Sequence, residues 1–93
     1  MRKLAWSPSF KRAFSHYVKR HPEDRERIIR ILGQLQEEPF ADALDTHKLK
    51  GALVGLWSCS ASYNCRIVFK FKKLDDEEDV ILLIDMGTHG EVY

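Results

Sequence analysis

Cysteine, proline and glycine are scarce in this chain: two, three and five of 93 residues. So little proline and glycine leaves no linker and no low-complexity segment between the patterned stretches. The two cysteines, Cys59 and Cys65, flank an expected hairpin turn, and their spacing matches no zinc pattern. The histidines at 16, 21, 47 and 89 are too scattered to supply one, so no metal is expected. Small, reduced core residues are the reading for both thiols. Long apolar runs are missing too, and none approaches the roughly 20 residues of a membrane-spanning helix. The basic start Met1-Arg2-Lys3 is followed by no apolar segment of signal-peptide type, which makes the cytoplasm the expected location.

What remains is 44% hydrophobic and 31% charged, the balance of one soluble globular domain over residues 1–93. Net charge is only +1, but it is unevenly spread. The run Asp75-Asp76-Glu77-Glu78-Asp79 holds five of the fourteen acids, whereas residues 1–20 carry six bases and no acid. A basic face with an acidic loop held elsewhere can still attract phosphate locally.

Leu4-Ala5-Trp6 is a short strand candidate, ended by Ser7-Pro8 as N-cap and first helical residue. Phe10, Phe14, Tyr17 and Val18 then form one apolar stripe of a helix reaching about Arg20. His21-Pro22 breaks it, and Pro22, Glu23 and Asp24 open a second helix, lined by Ile28, Ile31, Leu32 and Leu35. Phe40 to Thr46 reads as a loop. Three strands follow, Leu53–Cys59, Tyr63–Lys72 and Val80–Met86, with the acidic run as the last hairpin. The expected architecture is α+β: a small antiparallel sheet, β-α-α-β-β-β, with a helical hairpin on one face.

In the middle strand Cys65, Ile67, Phe69 and Phe71 share the face turned to the helices, which leaves Arg66 and Lys70 on the open face. Lys48 and Lys50 project to one common side at period two. If the ending Gly87-Thr88-His89 folds over that open face, it meets Arg66 and creates a cationic groove with one imidazole and the phenol of Tyr93. Each element also has a plainer reading. Arg66 can pair with a carboxylate such as Asp85, His47 can cap a strand, and Lys48 and Lys50 can guard a sheet edge.

His47-x-Leu49-x-Gly51, the strand Tyr63-x-x-Arg66-Ile67-Val68-Phe69 and the ending Gly87-Thr88-His89-x-x-Val92-Tyr93 resemble the RelE/YafQ toxins of the RelE/ParE superfamily. The similarity runs along nearly the whole chain and is closest to the YafQ branch at its Gly-Thr-His ending. It implies a type II toxin, a metal-independent endoribonuclease that cuts mRNA on the ribosome. It also implies a cognate antitoxin as protein partner, with mRNA and the ribosome as targets and no membrane or cofactor. By position, His47 and His89 match histidines of the YafQ branch, Tyr93 its terminal aromatic, and Arg66 the strand arginine of the RelE branch. Ser60 and Asn64 stand where YafQ-like enzymes place a His and an Asp, and Asp85 stands where they carry an arginine.

The roles that follow are acid or base for His89, with His47 as its partner. Arg66 and Lys50 hold the scissile phosphate, Lys48 and Lys70 steer the RNA backbone, and Tyr93 stacks on a base or orients the phosphate. Two other outcomes stay open: a ParE-like toxin that inhibits DNA gyrase by binding, and a degenerate homologue that binds its antitoxin without activity.

Overall fold

Ser7 and Pro8 start a helix as the sequence predicts. The Ser7 Oγ accepts the Phe10 N–H at 3.1 Å, and Pro8 opens α1, Pro8–Arg20. The computed structural model describes residues 2–73 and 79–92, and the side chains of these except His89 and Glu91. The acidic run up to Glu78, and Tyr93, therefore lie outside the described residues.

Phe10 and Tyr17 of α1 are buried, and Trp6 packs edge-on to both Phe10 and Phe14 at 5.0 and 5.1 Å. Pro22–Asp24 makes a short 3-10 turn rather than the first turn of the second helix, which begins at Arg25. That helix, α2, spans Arg25–Glu37 and buries Ile28, Leu32 and Leu35. Among the described residues no helix is long and apolar enough to cross a membrane.

Five strands form one sheet: β1 Lys3–Trp6, β2 His47–Lys48, β3 Trp57–Ser60, β4 Arg66–Lys73 and β5 Asp79–Gly87. Their order is β1-β5-β4-β3-β2. The fold is α+β, with the helical hairpin on one face. The sheet is antiparallel except at one edge, where β1 runs parallel to β5. Connections of only five residues favour antiparallel pairing of β3–β4 and β4–β5, but β1 reaches its place through the whole helical hairpin and is free of that constraint. The strand expected from Leu53 begins only at Trp57, because Gly51–Leu53 is a 3-10 turn and both Gly51 and Gly55 take positive φ (68° and 94°). The strand expected from Tyr63 begins at Arg66, since Ser62–Asn64 is bent into the β3–β4 turn. Residues 40–46 are a loop enclosing a 3-10 turn at Asp42–Leu44, whose Leu44 is fully buried.

One irregularity sets the register of everything near the end of β5. Val68 pairs with Asp85 and Phe69 with Leu83, so Ile84 is an extra residue with no partner on β4. The bulge lets Leu83 and Met86, three residues apart, both join the core under the helices. The displaced Ile84 carbonyl accepts the Ser9 hydroxyl at 2.6 Å and the Ser7 hydroxyl at 3.4 Å, while the Ser7 N–H donates to the Leu83 carbonyl at 3.2 Å. The start of α1 is thereby stitched to the bulge.

The Ser58 side chain is completely buried without a hydrogen-bond partner. Replacing it, Ser58→Ala, should leave stability unchanged or raise it, because no bond is lost and no polar group stays stranded. Ser7→Ala removes a helix cap and should cost about 1 kcal/mol. Urea titration checks both as shifts of midpoint at constant slope.

Candidate active site

The alternation of β4 comes out as the sequence predicts at its start: Cys65, Ile67 and Phe69 are fully buried, and Arg66 and Lys70 take the opposite parity. Arg66 lies in register between Ser60 on β3 and Gly87 on β5. The residues after Gly87 therefore leave the sheet beside Arg66. They form α3, His89–Val92, which packs against β4 and β5, with the Val92 N–H on the Thr88 carbonyl at 3.1 Å. His89 opens this turn of helix. Its side chain, like the whole of Tyr93, lies outside the described residues.

Arg66 is not an idle cation. Its Nη1 donates to the carbonyls of Ser62, Tyr63 and Cys65 at 3.2–3.3 Å, and so staples the β3–β4 turn. Asp85, the carboxylate considered as its partner, uses Oδ1 to accept the Met86 N–H at 2.8 Å.

The remaining sequence candidates are spread out. His47 is exposed on β2, at the far edge, in the row His47–Ser58–Val68–Asp85 that crosses the sheet. Three strand spacings, about 14 Å, separate it from β5. Its Nδ1 lies 2.8 Å from the Asp45 carbonyl. A carbonyl can only accept, so Nδ1 is the donor of this bond. Lys48 stands opposite Trp57 with its Nζ 5.5 Å from the ring centroid, on the face away from Arg66. Lys50 is exposed just before the Gly51–Leu53 turn, and Lys70 is half-buried opposite Leu82. The fold thus brings Arg66 together with the Gly87–His89 end, sets His47 across the sheet from them, and turns Lys48 elsewhere.

Sequence reasoning missed the cavity beside that end. A cleft of about 570 Å³ separates α1 from the close of β5. Arg12, His16, Arg20 and His21 line one wall, and Asp85, Gly87 and Thr88 the other. The signal was present as the four-residue spacing of Arg12, His16 and Arg20 inside an acid-free segment. Tyr17 sits between the walls, its hydroxyl donating to Asp24 Oδ2 at 3.0 Å and its ring 4.6 Å from the His21 imidazole. Burial, assisted by the Asp24 bond, pushes the phenol up to about 12. Tyr17, His21 and Thr88 also border a second cavity of about 300 Å³, which runs on to Ser62 and Asn64 in the β3–β4 turn.

Cys59 and Cys65 are both buried and form no disulfide, and burial pushes the Cys59 thiol up to about 12. A raised pKa is the opposite of what a nucleophilic Cys59 would need. His21, Glu23 and Asp24 hold their ligand-type atoms within 4.8 Å of one another, on the Pro22 turn. Asp24 is engaged there by Tyr17, and the His21 Nδ1 lies 3.7 Å from Glu23 Oε1.

No family model and no curated protein sequence matches the chain. Solved structures do. A metal-bound toxin from Helicobacter pylori is 26% identical, with all of both chains covered and a TM-score of 0.79. A YoeB/ParE toxin from Agrobacterium tumefaciens is 23% identical over 94% of this chain and 98% of its own, with a TM-score of 0.76. This chain has the fold of the YoeB/ParE and YafQ toxins. The YafQ likeness comes from the E. coli DinJ-YafQ toxin-antitoxin complex, which is 15% identical over 99% of this chain and 97% of its own, with a TM-score of 0.74.

The two raised groups give the fold a pH dependence of definite sign. Cys59 rises from 9.0 to about 12 and Tyr17 from 10.0 to about 12, so the folded state holds both protons more tightly than the unfolded chain. Their contribution is complete below pH 9 and is lost as pH climbs from 9 towards 12. Denaturant unfolding at pH 8 and pH 11 should show the drop, and Tyr17→Phe should make it shallower. A flat profile across that window would contradict the assignment.

Proposed function

We propose that this chain is the toxin of a type II toxin–antitoxin pair and acts as an endoribonuclease on mRNA at the ribosome. The observation that carries the reading is the delivery of Gly87-Thr88-His89 to the side of Arg66 and to the mouth of a cleft walled by Arg12, His16, Arg20 and His21. Likeness to YoeB/ParE and YafQ toxins supports the toxin half of it, and the DinJ-YafQ complex supports an antitoxin as partner.

The chemistry needs groups this chain owns. A base takes the proton from the RNA 2′-hydroxyl, and that oxygen attacks the neighbouring phosphorus. The P–O5′ bond breaks, and an acid returns a proton to the departing 5′-oxygen, leaving a 2′,3′-cyclic phosphate. His89 takes one proton-transfer role. A phosphodiester laid across β3 and β4 would have His89 on one side and His47 on the other. The Arg66 guanidinium, anchored through Nη1 to the turn, offers a fixed positive charge to the phosphoryl oxygens. Lys70, on the same face, and exposed Lys50 steer the backbone, and Tyr93 meets a base. Lys48 drops out of this set because it covers Trp57 on the other face.

One observation favours a second reading, an antitoxin-binding homologue without cleavage. Arg66 spends Nη1 on three carbonyls and is already engaged by the turn it secures.

Positioned acid–base catalysis is worth about 10²–10⁴-fold, so His89→Ala should lose that factor in cleavage while its thermal unfolding stays parental. The measurement is mapping of mRNA 5′ ends after expressing the chain alone in bacteria. Cuts within translated codons, absent in the variant, are the expected result. Cutting at the parental rate removes His89 from the mechanism. Growth arrest with intact mRNA points to a binding toxin such as a gyrase inhibitor, and unaffected growth to the inactive homologue.

A further inference from the structure

The cleft beside α1 is longer and more cationic than a single scissile phosphate needs. Arg12, His16 and Arg20 succeed one another every four residues, a rise of about 6 Å per step along a rigid helix. All three line the same cavity as Thr88, the residue before His89. Lys11 and Lys19, on the same helix, do not line it. We propose that Arg12, His16 and Arg20 form a track for the phosphodiester backbone of single-stranded RNA, running along α1 to the end of β5. The proposal takes its ligand from the nuclease reading above and rests on it to that extent.

Three features favour an RNA backbone over an acidic protein segment. The apolar groups the cleft offers a peptide anchor are small, Ala13 and Val92, since Tyr17 and Met86 in its wall are only 6% and 4% exposed. Its cations include two arginines, whose planar forks match phosphate oxygens and whose charge does not depend on pH. The acids nearby are engaged: Asp85 by the Met86 N–H, Asp24 by the Tyr17 hydroxyl, Glu23 facing His21. Asp79, by contrast, closes the far end of the β4–β5 ladder, opposite Lys73, while Gly87 sits opposite Arg66 at the cleft end. The eight residues of β4 put about 24 Å between those ends.

The test is fluorescence anisotropy with a labelled 2′-O-methyl oligouridine, which lacks the nucleophilic hydroxyl and reports binding without cleavage. The double variant Arg12→Gln/Arg20→Gln should bind at least tenfold more weakly than the parent. It should also lose about 1.4 from the slope of log affinity against log salt, near 0.7 per released contact on a single strand. The control Lys11→Gln/Lys19→Gln makes the same change in net charge outside the cleft, and should stay within twofold of the parent. Equal losses in the two doubles, or no saturable binding by the parent, overturn the track. So does displacement of the RNA by an oligoglutamate of equal charge at equal concentration. RNA cleavage in cells with unchanged binding by the Arg12/Arg20 variant sinks the track and leaves the nuclease reading standing. Binding that depends on Arg12 and Arg20 without any cleavage does the reverse.

Discussion

The unpaired carbonyl of Ile84 is the point on which the rest of the molecule turns. An extra residue in β5 would ordinarily strand a peptide group between sheet and helix, and here Ser7 and Ser9 take it up. The same contact fixes where α1 begins and at what height it crosses β5. It also shifts the phase of the last part of β5, sending Met86 inward to the core and Asp85 to the other face. A regular strand would have exchanged those two, placing a carboxylate in the core and moving the Gly87–His89 end to the opposite side.

Order spreads from there in two directions. Towards the cleft, Tyr17 links α1 to the Pro22 turn through Asp24, and Arg66 secures the β3–β4 turn by its carbonyls. Arg66 and Asp85 are thus held by backbone groups, and Tyr17 by the side chain of Asp24. Towards the other end, Phe40, Trp57 and Phe71 form a ring cluster with centroids 5.3–5.7 Å apart, and Arg2 and Lys48 cover two of its faces. Trp57 and Phe71 of that cluster pack against the core, and Phe40 remains 57% exposed.

Much of this was legible in the residues, because local chemistry fixed it. Ser7-Pro8, the apolar stripes of both helices and the alternation Cys65-Ile67-Phe69 are short-range signals, and each one reads through to the structure. The parallel direction of β1 was not legible, since nothing within the strand distinguishes the two directions when no tight turn precedes it. The bulge was hidden for a similar reason: Val80-Ile81-Leu82-Leu83-Ile84 is apolar throughout and shows no break in phase where one occurs. The period-two spacing of Lys48 and Lys50 says nothing of which face Lys48 takes: Trp57 opposite Lys48 decides that, and cross-strand register is a tertiary fact. The row Arg12-His16-Arg20 was visible as spacing, yet its meaning depended on what would lie across from it.

The parallel pairing of β1 with β5 has a temporal consequence. Residues 3–6 find their partners only at 80–83, and the cleft needs α1 together with Asp85–Thr88. During synthesis at roughly 5–20 residues per second, the helical hairpin therefore leaves the ribosome several seconds before either edge of the cleft can close. A chain halted anywhere before β5 carries its helices and its cations but not the walled space between them. The cleft is completed only once β5 has been made and has paired with the first strand.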